Sequence, residues 1–178
     1  MKAFKKLLFS AMCIMAIVTI ASCDKDNSGT GGKGGGKTHA EYIDLGLRSG
    51  TLWKSVNEEN EYDYYDFFTF DEAVGTFGDK LPTKEQFEEL KAYCQWTWTD
   101  NGYKVVGPNG KSIFLPAAGY RTGNNNGNVS YVGSGGYYWS STSGDSRVAW
   151  RLDFFSDYIN VYFGAERSCA QSVRLVQN

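Results

Sequence analysis

Period-two alternation in the last third of the chain leaves little choice of fold. In the run from Trp150 to Phe155, Trp150, Leu152 and Phe154 share one side, and Arg151, Asp153 and Phe155 the other. In the next run Ile159, Val161 and Phe163 alternate with Tyr158, Asn160 and Tyr162, and then Val173 and Leu175 with Ser172 and Arg174. Successive side chains of a strand point to opposite faces, so such segments predict an antiparallel sheet with one buried and one available face. The available face mixes Arg, Asp, Phe, Tyr and Asn, where a sheet that need only stay dissolved carries Thr, Lys and Glu.

Helical signals lie only upstream. Thr69-x-x-Glu72 and Thr83-x-x-Gln86 are capping boxes and predict two short helices. In the second, Phe87, Leu90 and Tyr93 are expected on one face, with Glu85, Glu88, Glu89 and Lys91 toward water. Residues 42–47 and 51–53 read as strands around Arg48-Ser49-Gly50. Residues 103–106 and 112–115 read as a hairpin closed by Gly107-Pro108-Asn109-Gly110. Gly123–Asn128 and Gly133–Gly136 have loop composition. The expected class is α+β, one domain over 41–178.

The beginning of the chain speaks to location. Lys2, Lys5 and Lys6 precede an apolar run from Leu7 to Ile20, and Ala21-Ser22 supplies small residues, as in a secretory signal over 1–22. The run is about 14 residues, short of the roughly 20 that a spanning helix needs. Ile20-Ala21-Ser22-Cys23 resembles the bacterial lipobox, which implies cleavage before Cys23 and lipidation of its thiol. Residues 24–38 contain no aliphatic or aromatic side chain. The segment 23–40 therefore reads as a lipidated cysteine and a flexible Gly-rich tether, spanning roughly 20 Å. Asp24-Lys25-Asp26 resembles the acidic tract that sends lipoproteins of Bacteroidota-type bacteria to the outer face. The expected location is the outer membrane, lipid-anchored at the cell surface.

Several chemistries lack their residues. The formal charge of −2 gives no nucleic-acid footprint. The single histidine, His39, lies in the tether, so Ser–His–Asp, Cys–His and multi-histidine zinc arrangements have no basis. Asp145, Asp153, Asp157 and Glu166 show no spacing that singles out a catalytic pair. The sugar-binding motifs of calcium lectins are missing, since Gly107 stands before Pro108-Asn109 and Trp139 is followed by two serines. No catalytic residue, metal ligand or cofactor is therefore assigned. Tyr137, Tyr138 and Trp139 read chiefly as packing residues, while Tyr158, Tyr162 and Phe163 are balanced between packing and contact.

A set of motifs carries a resemblance: Tyr42-Ile-Asp-Leu-Gly-Leu, Ser49-Gly-Thr-Leu-Trp, Leu81-Pro-Thr-Lys-Glu-Gln-Phe, Phe114-Leu-Pro-Ala-Ala-Gly-Tyr, Gly136-Tyr-Tyr-Trp-Ser-Ser and Gln171-Ser-Val-Arg. In this order they resemble the Fibrobacter succinogenes major paralogous domain family over about residues 41–177. The resemblance implies a C-type-lectin-like fold, akin to formylglycine-generating enzymes and phage tropism proteins. Some members are diversified by retroelements that randomise template adenines near the C-terminus. Residues 146–170 resemble such a variable region, with Trp150, Leu152, Phe154, Val161 and Arg167 as scaffold. The implied ligand-binding positions are Arg151, Asp153, Phe155, Asp157, Tyr158, Tyr162, Phe163, Gly164, Ser168 and Cys169. Cys94 and Cys169 can pair in an oxidising compartment, whereas a diversified Cys169 leaves two free thiols.

The expected function is non-catalytic binding of a macromolecule by a surface lipoprotein. The partner is an unidentified cell-surface, phage or host macromolecule, and the membrane is reached through the lipid. The alternative is a structural or assembly component of a surface or pilus-like structure. Lipid anchoring is tested directly: Cys23→Ala is expected to abolish palmitate labelling and release or mislocalise the domain, and normal labelling of the variant would refute it.

Overall fold

The computed structural model describes residues 41–123 and 127–178. The signal, Cys23, the tether and the centre of the Gly123–Asn128 loop lie outside the described residues. Both helices start where their capping boxes predict. In α1 (Phe70–Phe77) the Thr69 hydroxyl accepts from Glu72 N at 3.3 Å, and Thr69 N donates back to the Glu72 carboxylate at 2.8 Å. In α2 (Lys84–Tyr93) Thr83 and Gln86 repeat the exchange at the same distances. Gln86 does more than cap, because its Nε2 donates to Thr51 Oγ1 at 3.0 Å and Asn178 Oδ1 at 2.9 Å.

Phe87 and Leu90 are buried, but Tyr93 is half exposed with the Arg48 guanidinium 5.3 Å from its ring. This corrects the expected helix face. Three residues fall about 60° short of a full turn, so a spacing of three drifts, and its second step lies about 120° from Phe87.

Among the described residues, four antiparallel sheets complete the domain. The ends of the domain meet in β1 (Tyr42–Asp44), β2 (Leu52–Lys54) and β13 (Val176–Gln177), ordered β1-β2-β13. A meander follows α2: β4 (Gln95–Thr99), β5 (Gly102–Val106) and β6 (Ser112–Pro116). The predicted hairpin is thus present, joined by a third strand. Short pieces β3 (Phe68–Thr69), β7 (Tyr120–Arg121), β8 (Val129–Ser130) and β12 (Ala170–Gln171) form the order β3-β12-β7-β8. The longest strands, β9 (Gly136–Ser143), β10 (Val148–Phe155) and β11 (Tyr158–Glu166), are ordered β11-β10-β9.

This last sheet divides the core. On one face Tyr138, Leu152 and Phe154 pack with Trp53, Phe87, Leu90, Tyr103 and Leu115. On the other, Trp139 and Ala149 join Phe68, Phe70, Leu81, Cys169, Val173 and Leu175. Tyr138 and Trp139 are adjacent, point opposite ways and are both fully buried. The expected open face is therefore closed at the Trp139–Ala149 end and also at Asp153, which is buried against expectation; it is partly open at Arg151 and Phe155 and open at Tyr158 and Tyr162.

Two further expectations are corrected. Trp150 is only partly buried, its ring 5.2 Å from Phe163 with the Lys84 ammonium 4.3 Å over it. Trp150 keeps its place in the row, pairing with Phe163 as Leu152 pairs with Val161, and just beyond it a register shift between Ala149 and Trp150 leaves Gly164 (φ 103°) as an extra residue on β11. Residues 173–175 form no strand, and Arg174 is buried, not open. Its guanidinium donates to Asn57 Oδ1 (2.9 and 2.6 Å), Lys54 O (2.8 Å) and Phe114 O (2.7 Å).

The two sides of β10–β11 are expected to respond differently to truncation. Leu152→Ala leaves a cavity in a fully buried site and should cost about 2–5 kcal/mol, against about 0.5 kcal/mol for the exposed Tyr158→Ala. Urea unfolding measures both, and equal losses would contradict the assigned faces.

Candidate functional site

Arg151 stands in the middle strand, opposite Tyr162 on β11 and Trp139 on β9, and Asp153 stands opposite Asn160 and Tyr137. Cross-strand partners share a face, so these side chains gather on one side of the sheet. The Arg151 guanidinium carbon is 4.9 Å from the Tyr137 ring and 5.1 Å from the Tyr162 ring. Its Nη2 donates to Asp153 Oδ2 at 3.1 Å. A planar cation held against two rings and braced by a carboxylate has lost most of its rotamer freedom before any ligand arrives.

The pair is incompletely satisfied. Arg151 Nε and Asp153 Oδ1 are buried and have no hydrogen-bond partner among the described residues. Burial pushes the Asp153 carboxyl up, against the opposing pull of Arg151. Burial likewise raises the Tyr137 and Tyr158 phenols.

Aromatic rings extend the face away from Arg151. Phe155 stacks on Tyr158 at 5.4 Å and meets Tyr131 edge-on at 5.2 Å. Tyr131 lies nearly parallel to Tyr120 at 6.1 Å, and Tyr120 packs on Tyr137 at 4.7 Å. Tyr131, Tyr158 and Tyr162 are 50%, 44% and 42% exposed, so the strip presents ring surface to solvent over a floor made by buried Tyr137.

Tyr131 is the residue that alternation could not find. It has φ 62°, a left-handed conformation that a bulky side chain rarely takes. Its carbonyl accepts from Ser134 N (3.0 Å) and Gly135 N (2.9 Å), and Gly133 N donates to Ala117 O at 2.7 Å. Gly119 allows this clamp, since a Cβ there would lie 2.2 Å from Ser130 O. Strain held in this way in an exposed aromatic marks a position maintained by its surroundings.

The remaining sequence-derived positions are dispersed. Asp157 is exposed in the turn between β10 and β11. Phe163, 47% exposed, sits with Trp150 on the opposite face from Tyr162. Gly164 is the bulge residue. Ser168 is exposed beside a separate groove with Thr69, Asp71 and Arg147, where Arg167 is ion-paired to Asp71 and lies 4.7 Å over Phe70. Cys169 belongs to the core and not to a contact surface. The strand ends at Glu166 and the chain turns, with Cys169 N donating to Glu166 O at 3.0 Å, so the period of two no longer applies there. Cys94 and Cys169 are both free thiols, and burial pushes Cys94 up to about 11, which keeps it protonated and unreactive at neutral pH. Thus Arg151, Asp153, Phe155, Tyr158 and Tyr162 come together, while Asp157, Phe163, Gly164, Ser168 and Cys169 do not join them.

Residues 94–176 match a family described as Domain of unknown function (DUF8237). That stretch begins at the C-cap of α2 and takes in all of β9, β10 and β11. No curated protein and no solved structure matches the chain.

Asp153 should leave a signature in stability. Its folded-state pKa lies above the unfolded value, so folding favours the protonated acid. That contribution is present below the ordinary carboxylate range, about 4, and is lost as pH rises through the folded pKa. Asp153→Asn cannot titrate. The stability of wild type minus variant is expected to fall as pH is raised from about 3 to about 7. Urea unfolding at several pH values checks this, and a difference that rises with pH would overturn it.

Proposed function

We propose that this chain is a surface lipoprotein whose C-type-lectin-like domain binds a macromolecular ligand through the open face of β10 and β11, without catalysis. The observation that carries the proposal is the braced Arg151 between Tyr137 and Tyr162, continuous with the exposed rings of Tyr131 and Tyr158. Interface energy concentrates in Arg and aromatic side chains, and groups ordered in advance lose less entropy on binding. The fold assignment draws on the family resemblance, two short helices and antiparallel sheets. The lipobox-like Cys23 and its tether support presentation outside the cell, in the outer membrane.

Retroelement diversification of 146–170 is part of the same reading. It is supported by segregation of fully buried Leu152 and Phe154 from the side chains across the sheet. Substitutions on an exposed face usually cost about 0.5 kcal/mol or less, so such a face can vary while the core stays intact. Asp153 sits less freely in this scheme, because it is buried and paired with Arg151.

Capture of ligand from cell-surface extracts tests the proposal. Arg151→Ala or Tyr158→Ala should each weaken binding by about 2 kcal/mol, roughly thirtyfold. A variant with Arg151, Phe155, Tyr158 and Tyr162 all changed to Ala should capture nothing, and chelator should have no effect on wild type. Capture that survives the multiple variant but disappears with chelator would overturn the proposal in favour of a calcium site elsewhere.

A further inference from the structure

The edge of the β11-β10-β9 sheet differs from the other sheet edges of the domain. β11 has nine residues, and among the described residues no strand pairs with its outer side. An antiparallel strand bonded on one side only leaves the N–H and C=O of every second residue facing outward. At the opposite edge β9 is covered: Trp139 N donates to Ser172 O at 3.1 Å, Ser172 N to Tyr137 O at 3.0 Å, and Gly119 bridges Gly136. The other outer strands are short, with three residues in β1, two in β8, and five in β6, which ends in Pro116. β4, also five residues, exposes Gln95, Thr97 and Thr99.

Proteins usually guard a long edge with lysine, proline or another inserted charge. The eight residues Tyr158–Ala165 contain none of these, and only the Gly164 bulge interrupts the row near its end. Exposed rings flank the edge on both sides, with Tyr158 and Tyr162 on the ligand face and Phe163 on the other. Backbone groups, apolar area and neutral charge thus coincide along one line.

We propose that β11 pairs antiparallel with β11 of a second copy of this chain, about a two-fold axis normal to the sheet. Centred on Val161, this pairing sets Ile159 against Phe163 and Asn160 against Tyr162 of the second copy. The uncharged run suits a copy of itself. The run meets itself with no like charges opposed, and each outward polar group finds its complement in the identical strand. The product is a continuous six-stranded sheet. An axis normal to the sheet puts both copies of Arg151, Asp153 and Tyr162 on the same side, so a repetitive ligand can engage two faces at once.

Sedimentation equilibrium of the purified full chain in density-matched detergent tests this. Wild type is expected to pass from monomer to dimer with rising concentration. Phe163→Lys should weaken the dimer by roughly tenfold, because the two-fold repeats each lost cross-strand contact, while Phe163→Tyr should retain it. Circular dichroism melts establish that the variants fold. A measurement on wild type alone is independent of them: the β11 amides should exchange more slowly at high than at low concentration. A chain that stays monomeric to about 1 mM, or a dimer indifferent to the lysine and leaving β11 exchange unchanged, would overturn the proposal.

Discussion

The guanidinium of Arg174 joins parts of the chain that are far apart in sequence. Its donors go to the Asn57 side chain, the Lys54 carbonyl and the Phe114 carbonyl, linking the segment after β2, the meander and the C-terminal segment. Asn57 Nδ2 passes the network on to the Tyr138 hydroxyl at 3.2 Å, which donates to Pro116 O at 2.8 Å. A buried charge without such partners would cost several kcal/mol, so the arrangement tolerates little change in any member. Backbone bonds from Lys54 N to Leu175 O and Glu58 N to Val173 O, both 2.9 Å, run alongside it. The position of Tyr138, and with it β9, depends on this network.

From β9 outward the sheet passes from core to surface. Tyr138 and Trp139 are buried on opposite faces, and Trp139 Nε1 donates to Phe68 O at 2.8 Å. One strand further, Leu152 and Phe154 remain buried while Arg151 and Phe155 are partly exposed. At β11, Tyr158 and Tyr162, on the Arg151 side of the sheet, are exposed. The tip of this hairpin is held from below, since the Tyr103 hydroxyl contacts Phe155 O at 3.1 Å and Ser156 O at 3.2 Å. A strand pair anchored at its inner edge and tip can carry an altered outer surface without losing register.

Close packing of rings explains glycines whose composition suggested only a loop. A Cβ on Gly136 would lie 2.0 Å from the Phe154 ring, and one on Gly135 would lie 3.0 Å from Phe155 and Tyr137. These residues let β9 begin directly against the aromatic cluster. The same cluster supports Tyr131, so the aromatic face around Arg151 is built partly from residues outside 146–170. The proposed binding surface would therefore combine a portion outside that region, made by Tyr120, Tyr131 and Tyr137, with the side chains of β10 and β11.

Local physics was legible along the chain. Both capping boxes located their helices, because those bonds span only three residues. Alternation located the β10–β11 hairpin and its buried Leu152 and Phe154, because the strand period is a property of the backbone. Contacts distant in sequence were not legible. Alternation does not reveal that Trp139 closes one end of the open face or that Trp150, although in the same row as Leu152 and Phe154, is only partly covered. The same period placed Arg174 toward water, yet its partners are 60 to 120 residues away. Likewise, alternation and the family resemblance brought Arg151, Asp153 and Tyr162 under suspicion, but only the pairing of β9 with β10 placed Arg151 against the Tyr137 ring. The sequence by itself determined where both helices start and which side of the β10–β11 hairpin carries Leu152 and Phe154 into the core; the tertiary structure decided which polar groups are buried and which rings meet, because those depend on what the rest of the chain lays over each face.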